Sequence, residues 1–327
     1  FRLGDIYPEI AIRHLEIAAK DVIDARKSRP DLSAGLEYTE RDAVQTSSVF
    51  YRLGRAYRAK GLFDKEQECY QRAVKHGVWW STEQRPGYLY PDRRLYSAPF
   101  PHTNQTLLRD PRFAAMWDVV KSLEANAERI REEYIMFMNN WRGTGTGEEF
   151  LLIEDNESIA DQGAWHQLIF SRNGHPVPKV WSSETVKSVF PVTLSILSEM
   201  RKDVSSDLPK GSMEFSILSK QSHLRPHCGP SNHRIRLHLP IYLPKSPPAQ
   251  IRVSNETLEW VEGQVLVLDD SYDHEVWNDS DEERVVLLLD VWHPHLSHQD
   301  REKVRDHFNF WESSWRATRS PWGLGSI

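Results

Sequence analysis

Hydrophobic and polar positions follow two different periods along this chain, and the change from one to the other divides it. From Ile6 to Lys27 the apolar residues Ile10, Ile12, Leu15, Ile17, Ala18, Val22 and Ile23 recur at helical spacing, which predicts an amphipathic helix. The stretch "SRPDLSAGLEY" breaks it. The run "SVFYRLGRAYRAKGLFDKEQECYQRAVKHG" then carries Leu53, Gly54, Tyr57, Gly61, Tyr70 and Ala73 at the spacing of a tetratricopeptide helix pair. In that reading Gly54 lets the helices approach, Gly61 ends the first, and Tyr70 and Ala73 pack the second back onto it. A single repeat does not make a solenoid, so the pair is expected to lean on the helix before it and on the domain after it. Between Trp79 and Arg109 the chain is dense in Pro, Tyr and Trp and holds no period, which reads as a long ordered connector. The domain boundary is placed there, with a helical region over 1–105 and a second domain over 106–327.

A further long helix is predicted from about Asp110 to Asn140, with Phe113, Met116, Val119, Val120, Leu123 and Ile130 on one stripe. Past "RGTGTGEEF" the period becomes two. The segments "HQLIFS", "MEFSILS", "RIRLHLPIYL", "QIRVSN", "QVLVLDD" and "RVVLLLDVW" are short, rich in Val, Ile and Leu, and separated by Pro, Gly, Asn and Asp. Such a series predicts an antiparallel sandwich or jelly roll, and an α+β chain with helices first and barrel second.

Composition narrows the partners. With 41 Lys and Arg against 47 Asp and Glu, the net charge of -6 lacks the basic excess of a nucleic-acid binder. The two cysteines, Cys69 and Cys228, provide no disulfide framework. No apolar run approaches the roughly 18 residues of a membrane span. The chain opens on Phe1 and not Met, as expected of a chain whose upstream signal or anchor has been removed, so the endoplasmic reticulum and the cytoplasm both stay open.

The chemistry concentrates in two stretches. In "RPHCGPSNHRIRLHLP", strand alternation puts Arg234, Arg236 and His238 on one face and Ile235, Leu237 and Leu239 on the other. This describes either a solvated polar face over a packed apolar one, or a barrel with a polar interior and its apolar side against outer helices. In the second case the arginines would be carboxylate receptors. The same stretch raises a metal question, because iron oxygenases commonly hold their metal with His-x-Asp and a distant second His. Here the residues are His227, Cys228 and Gly229, so the segment is either no metal site or one whose carboxylate lies elsewhere or is absent. The second stretch, "EGQVLVLDDSYDHEVWNDSDEERVVLLLDVWHP", gives a strand, a turn with Asp269, Asp270, Asp273 and His274, and a strand opening at Arg284. Asp269 and Asp270 read as turn-forming or ligand-supporting acids before they read as a replacement ligand.

Taken together, "HCGPSNHRIRLHL", "EGQVLVLDDSYDHEVWN" and "RVVLLLDVWHP" closely resemble the aspartyl/asparaginyl β-hydroxylases, Fe(II)- and 2-oxoglutarate-dependent oxygenases with a double-stranded β-helix fold. The likeness runs from about Trp117 to Pro294, and the helical repeat fits animal members that carry tetratricopeptide-like helices ahead of the barrel. The family's iron is held by two histidines with Gly in the acidic position, and the resemblance therefore implies His227 and His274 as metal ligands. It implies Arg284 as partner of the distal 2-oxoglutarate carboxylate, Ser216 and His238 as polar partners of that cosubstrate, and Arg234, Arg236 and Trp165 as substrate contacts. Dioxygen would be the oxidant and a polypeptide Asp or Asn side chain the acceptor. Two departures concern the substrate: Ala160 stands where animal enzymes have another arginine, and their cysteine pair has no counterpart in "NGHPVPKVWSSETVKS". The alternatives are a hydroxylase of a small molecule or lipid acyl chain, and a non-catalytic protein whose helical repeat recruits a partner.

Overall fold

The computed structural model describes residues 8–27, 40–95, 97–140, 151–152, 159–200 and 204–317. Ile6, "SRPDLSAGLEY" and "RGTGTGEEF" lie outside these residues. Helices α1 (Pro8–Lys27), α2 (Glu40–Ala59) and α3 (Phe63–Lys75) come first. Short helix α4 (Gln105–Arg109), α5 (Ala114–Ala125) and α6 (Ala127–Asn140) follow the connector. Helices α7 (Pro178–Trp181), α8 (Glu184–Val189) and α9 (Pro191–Met200) interrupt the strands, and α10 (His298–Ala317) comes last.

The apolar stripes of α1 to α3 meet in one cluster with Phe50, Leu53, Tyr57, Tyr70, Ala73 and Trp79 at its centre. Gly54 is where α2 and α3 come closest: a Cβ there would lie 2.3 Å from Cε1 of Tyr70. Gly61 closes α2 with φ +69°, a backbone region that costs glycine least. Replacing Gly54 by Ala is therefore expected to force the helices apart, at about 1–3 kcal/mol as for other overpacked sites. Gly61→Ala, strained but in open space, should cost about 1 kcal/mol. Thermal unfolding of the two variants checks the order, and equal melting points would contradict the packing argument.

Two antiparallel sheets form the barrel. The larger runs β1-β3-β5-β12-β7-β10, with β4 on β3, and the smaller β2-β6-β11-β8-β9. The larger sheet comprises β1 (Leu151–Leu152), β3 (Trp165–Arg172), β4 (His175–Pro176), β5 (Ser212–Leu218), β7 (Arg234–Tyr242), β10 (Leu266–Leu268) and β12 (Arg284–Trp292). The smaller comprises β2 (Ala160–Gln162), β6 (Ser222–His227), β8 (Gln250–Val253), β9 (Glu256–Glu259) and β11 (His274–Asn278). From β5 onward the chain alternates between sheets except for the β8–β9 hairpin, which is the winding of a jelly roll.

Alternation along the larger sheet divides its residues cleanly. Phe215, Ile217, Ile235, Leu237, Leu239, Val285, Leu287 and Leu289 pack outward against α5, α6 and α9. Leu218, Leu266, Leu268, Val286 and Leu288 point inward and meet Leu224, Ile251, Val253 and Val276 of the smaller sheet. Arg234, Arg236 and His238 share this inward face, so of the two readings of "RIRLHL" the polar interior holds.

The helix predicted from Asp110 to Asn140 is instead a 3-10 turn (Pro111–Phe113), α5 and α6. Asn126 separates the two helices, its side-chain Nδ2 donating back to Ser122 O at 2.8 Å. Such local bonding competes with the continuing ladder. The stretch "NGHPVPKVWSSETVKS", for which no element was predicted, contains α7 and part of α8, with Pro178 in the first turn of one and Ser183 capping the other. No helix among the described residues is long and apolar enough to cross a membrane.

Candidate metal and cosubstrate site

His227 ends β6 and His274 opens β11, not the turn before it. The two strands pair so that the histidines stand opposite each other, with ring centroids 4.1 Å apart. Nδ1 of His227 lies 2.8 Å from the carbonyl of Arg225, and Nδ1 of His274 lies 2.9 Å from that of Tyr272. A carbonyl only accepts, so both Nδ1 atoms carry a proton, which leaves Nε2 as the ring nitrogen available to a metal. Burial, with His227 alongside, pushes the His274 pKa down to about 3, which keeps that ring neutral at pH 7. Among the described residues no group of three or more His, Cys, Asp or Glu side chains is placed to hold a metal ion. A metal on this pair would therefore take two protein ligands from these residues.

The position that would carry a third ligand is filled from elsewhere. A Cβ at Gly229 would lie 2.3 Å from Oδ2 of Asp270. Asp270 does not reach that place as a loose acid: its Oδ2 accepts from Arg234 Nη2 at 2.5 Å and lies 3.2 Å from Arg236 Nη1. Burial alone would raise its pKa, but the two guanidinium groups outweigh burial and hold it well below the carboxylate range. Its neighbour Asp269 caps its own turn, Oδ1 accepting from the amide and hydroxyl of Ser271 at 3.0 and 2.6 Å. Burial raises the Asp269 pKa to about 7.

Arg234 and Arg236 are both engaged inside the protein. Besides Asp270, Arg234 donates to Asp290 Oδ2 at 2.6 Å and to the carbonyl of Lys210. Arg236 donates to Asp290 at 2.8 and 3.0 Å. Arg234 is fully enclosed, while the Arg236 side chain keeps 17% of its surface exposed. Of the two, Arg236 has the surface to meet a ligand, whereas Arg234 is spent on the two aspartates.

Arg284 is the contrasting arginine. It is buried, its Nη1 donates to Ser216 O at 3.3 Å, and among the described residues its Nε has no partner and no carboxylate pairs with it. Its guanidinium stands 4.9 Å from the Trp260 ring. Burial lowers its pKa to about 9. A buried cation with no carboxylate beside it is costly, and an anionic ligand received by its fork of donors would remove that cost. His238 also stacks on Trp260, at 6.1 Å, and among the described residues neither of its ring nitrogens has a hydrogen-bond partner. Burial, then Arg236 and Arg284, lower its pKa far below the ordinary value. On β5, Ser216 accepts from Trp165 Nε1 at 3.0 Å, so these two predicted contacts also touch each other.

Three participants escaped the sequence reading. Trp260 is the shared aromatic wall of Arg284 and His238. Asp290 neutralises both arginines, and an acid inside the apolar run "RVVLLLDVW" was its signal. Glu214 points inward from β5, accepts from Gln167 and Ser212, and has its pKa raised by burial.

The profile of a family described as aspartyl/asparaginyl beta-hydroxylase matches residues 124–294. Mouse aspartyl/asparaginyl beta-hydroxylase is 31% identical over 279 residues, 85% of this chain and 34% of the relative. The human protein of that description is 30% identical over 279 residues, 85% of this chain and 33% of the relative. The chain thus spans about a third of the length of these curated relatives. An ornithine lipid ester-linked acyl 2-hydroxylase of Rhizobium tropici is 44% identical over 81 residues, covering 24% of this chain and 29% of the relative.

Proposed function

The chain belongs to the aspartyl/asparaginyl beta-hydroxylase family, and on that premise we propose that it is an Fe(II)- and 2-oxoglutarate-dependent dioxygenase acting on the β-carbon of Asp or Asn in a polypeptide. The observation that carries this reading is Arg284: a buried guanidinium with no paired carboxylate among the described residues, in the same barrel interior as two histidines whose rings stand 4.1 Å apart. In this reading His227 and His274 hold the iron and Arg284 receives the far carboxylate of 2-oxoglutarate. Ser216 and His238 supply polar contacts to the same molecule. Trp260 lies against both Arg284 and His238 and would hold them beside that molecule. With iron and 2-oxoglutarate bound, such a site uses dioxygen to place one oxygen atom in a C–H bond and the other in succinate, with loss of carbon dioxide. We read α2 and α3 as a tetratricopeptide-like pair that helps to hold the polypeptide, with Arg236 and Trp165 as the contacts nearest the acceptor.

One observation favours a second reading, hydroxylation of an acyl chain or small molecule. Arg234 and Arg236 already face Asp270 and Asp290, so the basic pair does not offer two uncompensated charges to an acidic acceptor. Part of the chain also matches the Rhizobium acyl hydroxylase. Succinate release with Fe(II) and 2-oxoglutarate, measured beside a peptide library and an acyl and metabolite panel, separates the two. If neither panel raised succinate above the substrate-free rate, the hydroxylase reading would be lost.

Arg284→Met tests the cosubstrate role directly. The variant should bind 2-oxoglutarate at least tenfold more weakly, about 1.4 kcal/mol or more. It should not unfold more readily, because it removes a buried charge that has no acidic partner. Titration followed by tryptophan fluorescence, set beside a thermal melt, measures both. Unchanged affinity would remove Arg284 from the site.

A further inference from the structure

Residues 83–90 of the connector bond to the loops on either side of the histidine pair. On the His274 side, Gln84 forms an antiparallel bridge with Tyr272, Arg85 N donates to Ser271 O at 3.2 Å, and Asp273 N donates to Glu83 O at 2.6 Å. Gln84 Nε2 adds a bond to Ser271 Oγ at 2.9 Å. On the His227 side, Tyr88 N donates to Pro230 O at 2.8 Å. The backbone of Tyr90 exchanges two bonds with the Asn232 side chain, at 2.8 and 3.0 Å. One irregular segment therefore ties down the loop after one histidine and the turn before the other.

That segment is also where the helices dock. Ser47 Oγ of α2 donates to Pro86 O at 2.6 Å and accepts from Trp79 Nε1 at 2.9 Å. Arg85 joins the two sides. Its guanidinium lies 4.2 Å from the Tyr70 ring of α3, and its Nη2 pairs with Asp273 Oδ1. Asp273 immediately precedes His274, and Arg252 Nη2 holds its other oxygen at 3.0 Å. Arg85 and Asp273 also line a cavity of about 280 Å³ between the helices and the barrel, together with Arg58, Gln67 and Arg252.

We propose that Arg85 is a positioning residue for the metal centre, transmitting the docking of α2 and α3 to His274 through Asp273. A cation held between an aromatic ring and a carboxylate is directional, because the ring face and the carboxylate fix it from two sides. The anchored Asp273 sets where β11 begins, and with it the direction of the first side chain on that strand. The inference rests on reading His227 and His274 as the metal ligands.

The test is Co(II) titration of the whole chain, followed by visible absorption, for the parent protein, Arg85→Ala, Arg85→Lys and His227→Ala. Arg85→Ala is expected to bind Co(II) at least tenfold more weakly and to shift the visible bands, since ligand geometry as well as affinity changes. Arg85→Lys, which keeps the charge, should recover part of both. If Arg85→Ala does not fold, Tyr70→Leu removes the ring and leaves the ion pair, and a smaller change in the same direction is expected. If the parent binds Co(II) through His227 while the altered Arg85 or Tyr70 protein gives the same affinity and spectrum, the positioning role is overturned and the metal site stands. If the parent does not bind Co(II), or His227→Ala binds it equally well, the metal site itself is overturned and this inference goes with it.

Discussion

Replacing Gly229 by Asp is expected to destroy the site it superficially repairs. The substitution writes the familiar His-x-Asp into the sequence, yet the first added carbon would stand 2.3 Å from Asp270 Oδ2, 2.4 Å from Cγ and 2.6 Å from Oδ1. Asp270 has no easy retreat, because Arg234 and Arg236 grip its carboxylate and the backbone of Gly229 donates to the Asp270 carbonyl. The new side chain would also bring a second carboxylate into a dry region where the existing one is already balanced. Overpacking alone is worth about 1–3 kcal/mol, and an uncompensated buried charge a further roughly 3–5 kcal/mol. The variant should therefore melt far below the parent or fail to accumulate folded, with iron binding lost. Gly229→Ala, which meets the same carboxylate without a new charge, should fall between them. A Gly229→Asp protein with the parent's melting point and tighter iron binding would show that the third ligand position is open after all.

The second large effect belongs to Asp290. It accepts from Arg234, from Arg236 twice, and from the amide of Ser212 at 2.9 Å. Asp290→Ala would leave two guanidinium groups to share Asp270 in a region where Arg234 has no water to turn to. Breaking a buried ion-pair network from one side costs about 3–5 kcal/mol. Because Asp290 and Arg236 are directly paired across β12 and β7, the damage should reach the strand that carries His238. Urea unfolding measures the loss. Adding Arg234→Met to Asp290→Ala should restore part of it, since the double change removes a stranded cation. A loss below about 1 kcal/mol for Asp290→Ala would place it among ordinary surface ion pairs.

What could be read beforehand follows from the range of the forces involved. The period-two pattern of "RIRLHL" and "RVVLLLDVW" was legible because a strand in a layered barrel has one neighbour on each side, and each side selects a residue class. Whether the polar side faced water or an interior was not legible from that stretch, since the deciding contacts are helices α5, α6 and α9 packed on the other side. Strand β6 was missed because "SHLRPH" is too polar and contains Pro226, yet β2 and β11 flank it and complete its ladder. Helices α7 to α9 were not predicted; Pro178 and Pro191 stand in the first turns of α7 and α9, where no amide donor is required, and α8 is only 6 residues long. The histidine and arginine positions came from motif resemblance. The neutralisation of Arg234 and Arg236 by Asp270 and Asp290 joins residues 34 to 56 apart in the chain, and no local pattern announces it. The order of the connector is likewise invisible locally, because its backbone finds its partners among loops more than a hundred residues away.

The last helix bears on how this protein divides. Tyr88, Tyr90 and Leu95 of the connector share a buried cluster with Trp292, Leu296, Val304 and Phe308. Tyr88 reaches His307 Nδ1 at 2.7 Å, so α10 closes over the connector from the far end of the chain. The family match stops at residue 294, before that helix begins, and starts at residue 124, after the connector. The stretch that the family profile covers and the stretch that covers its own apolar surface are therefore of different lengths, although the mouse and human relatives match 85% of the chain. Swapping only residues 124–294 between relatives would carry over the histidines and arginines while separating Trp292 from the tyrosines and the helix that enclose it.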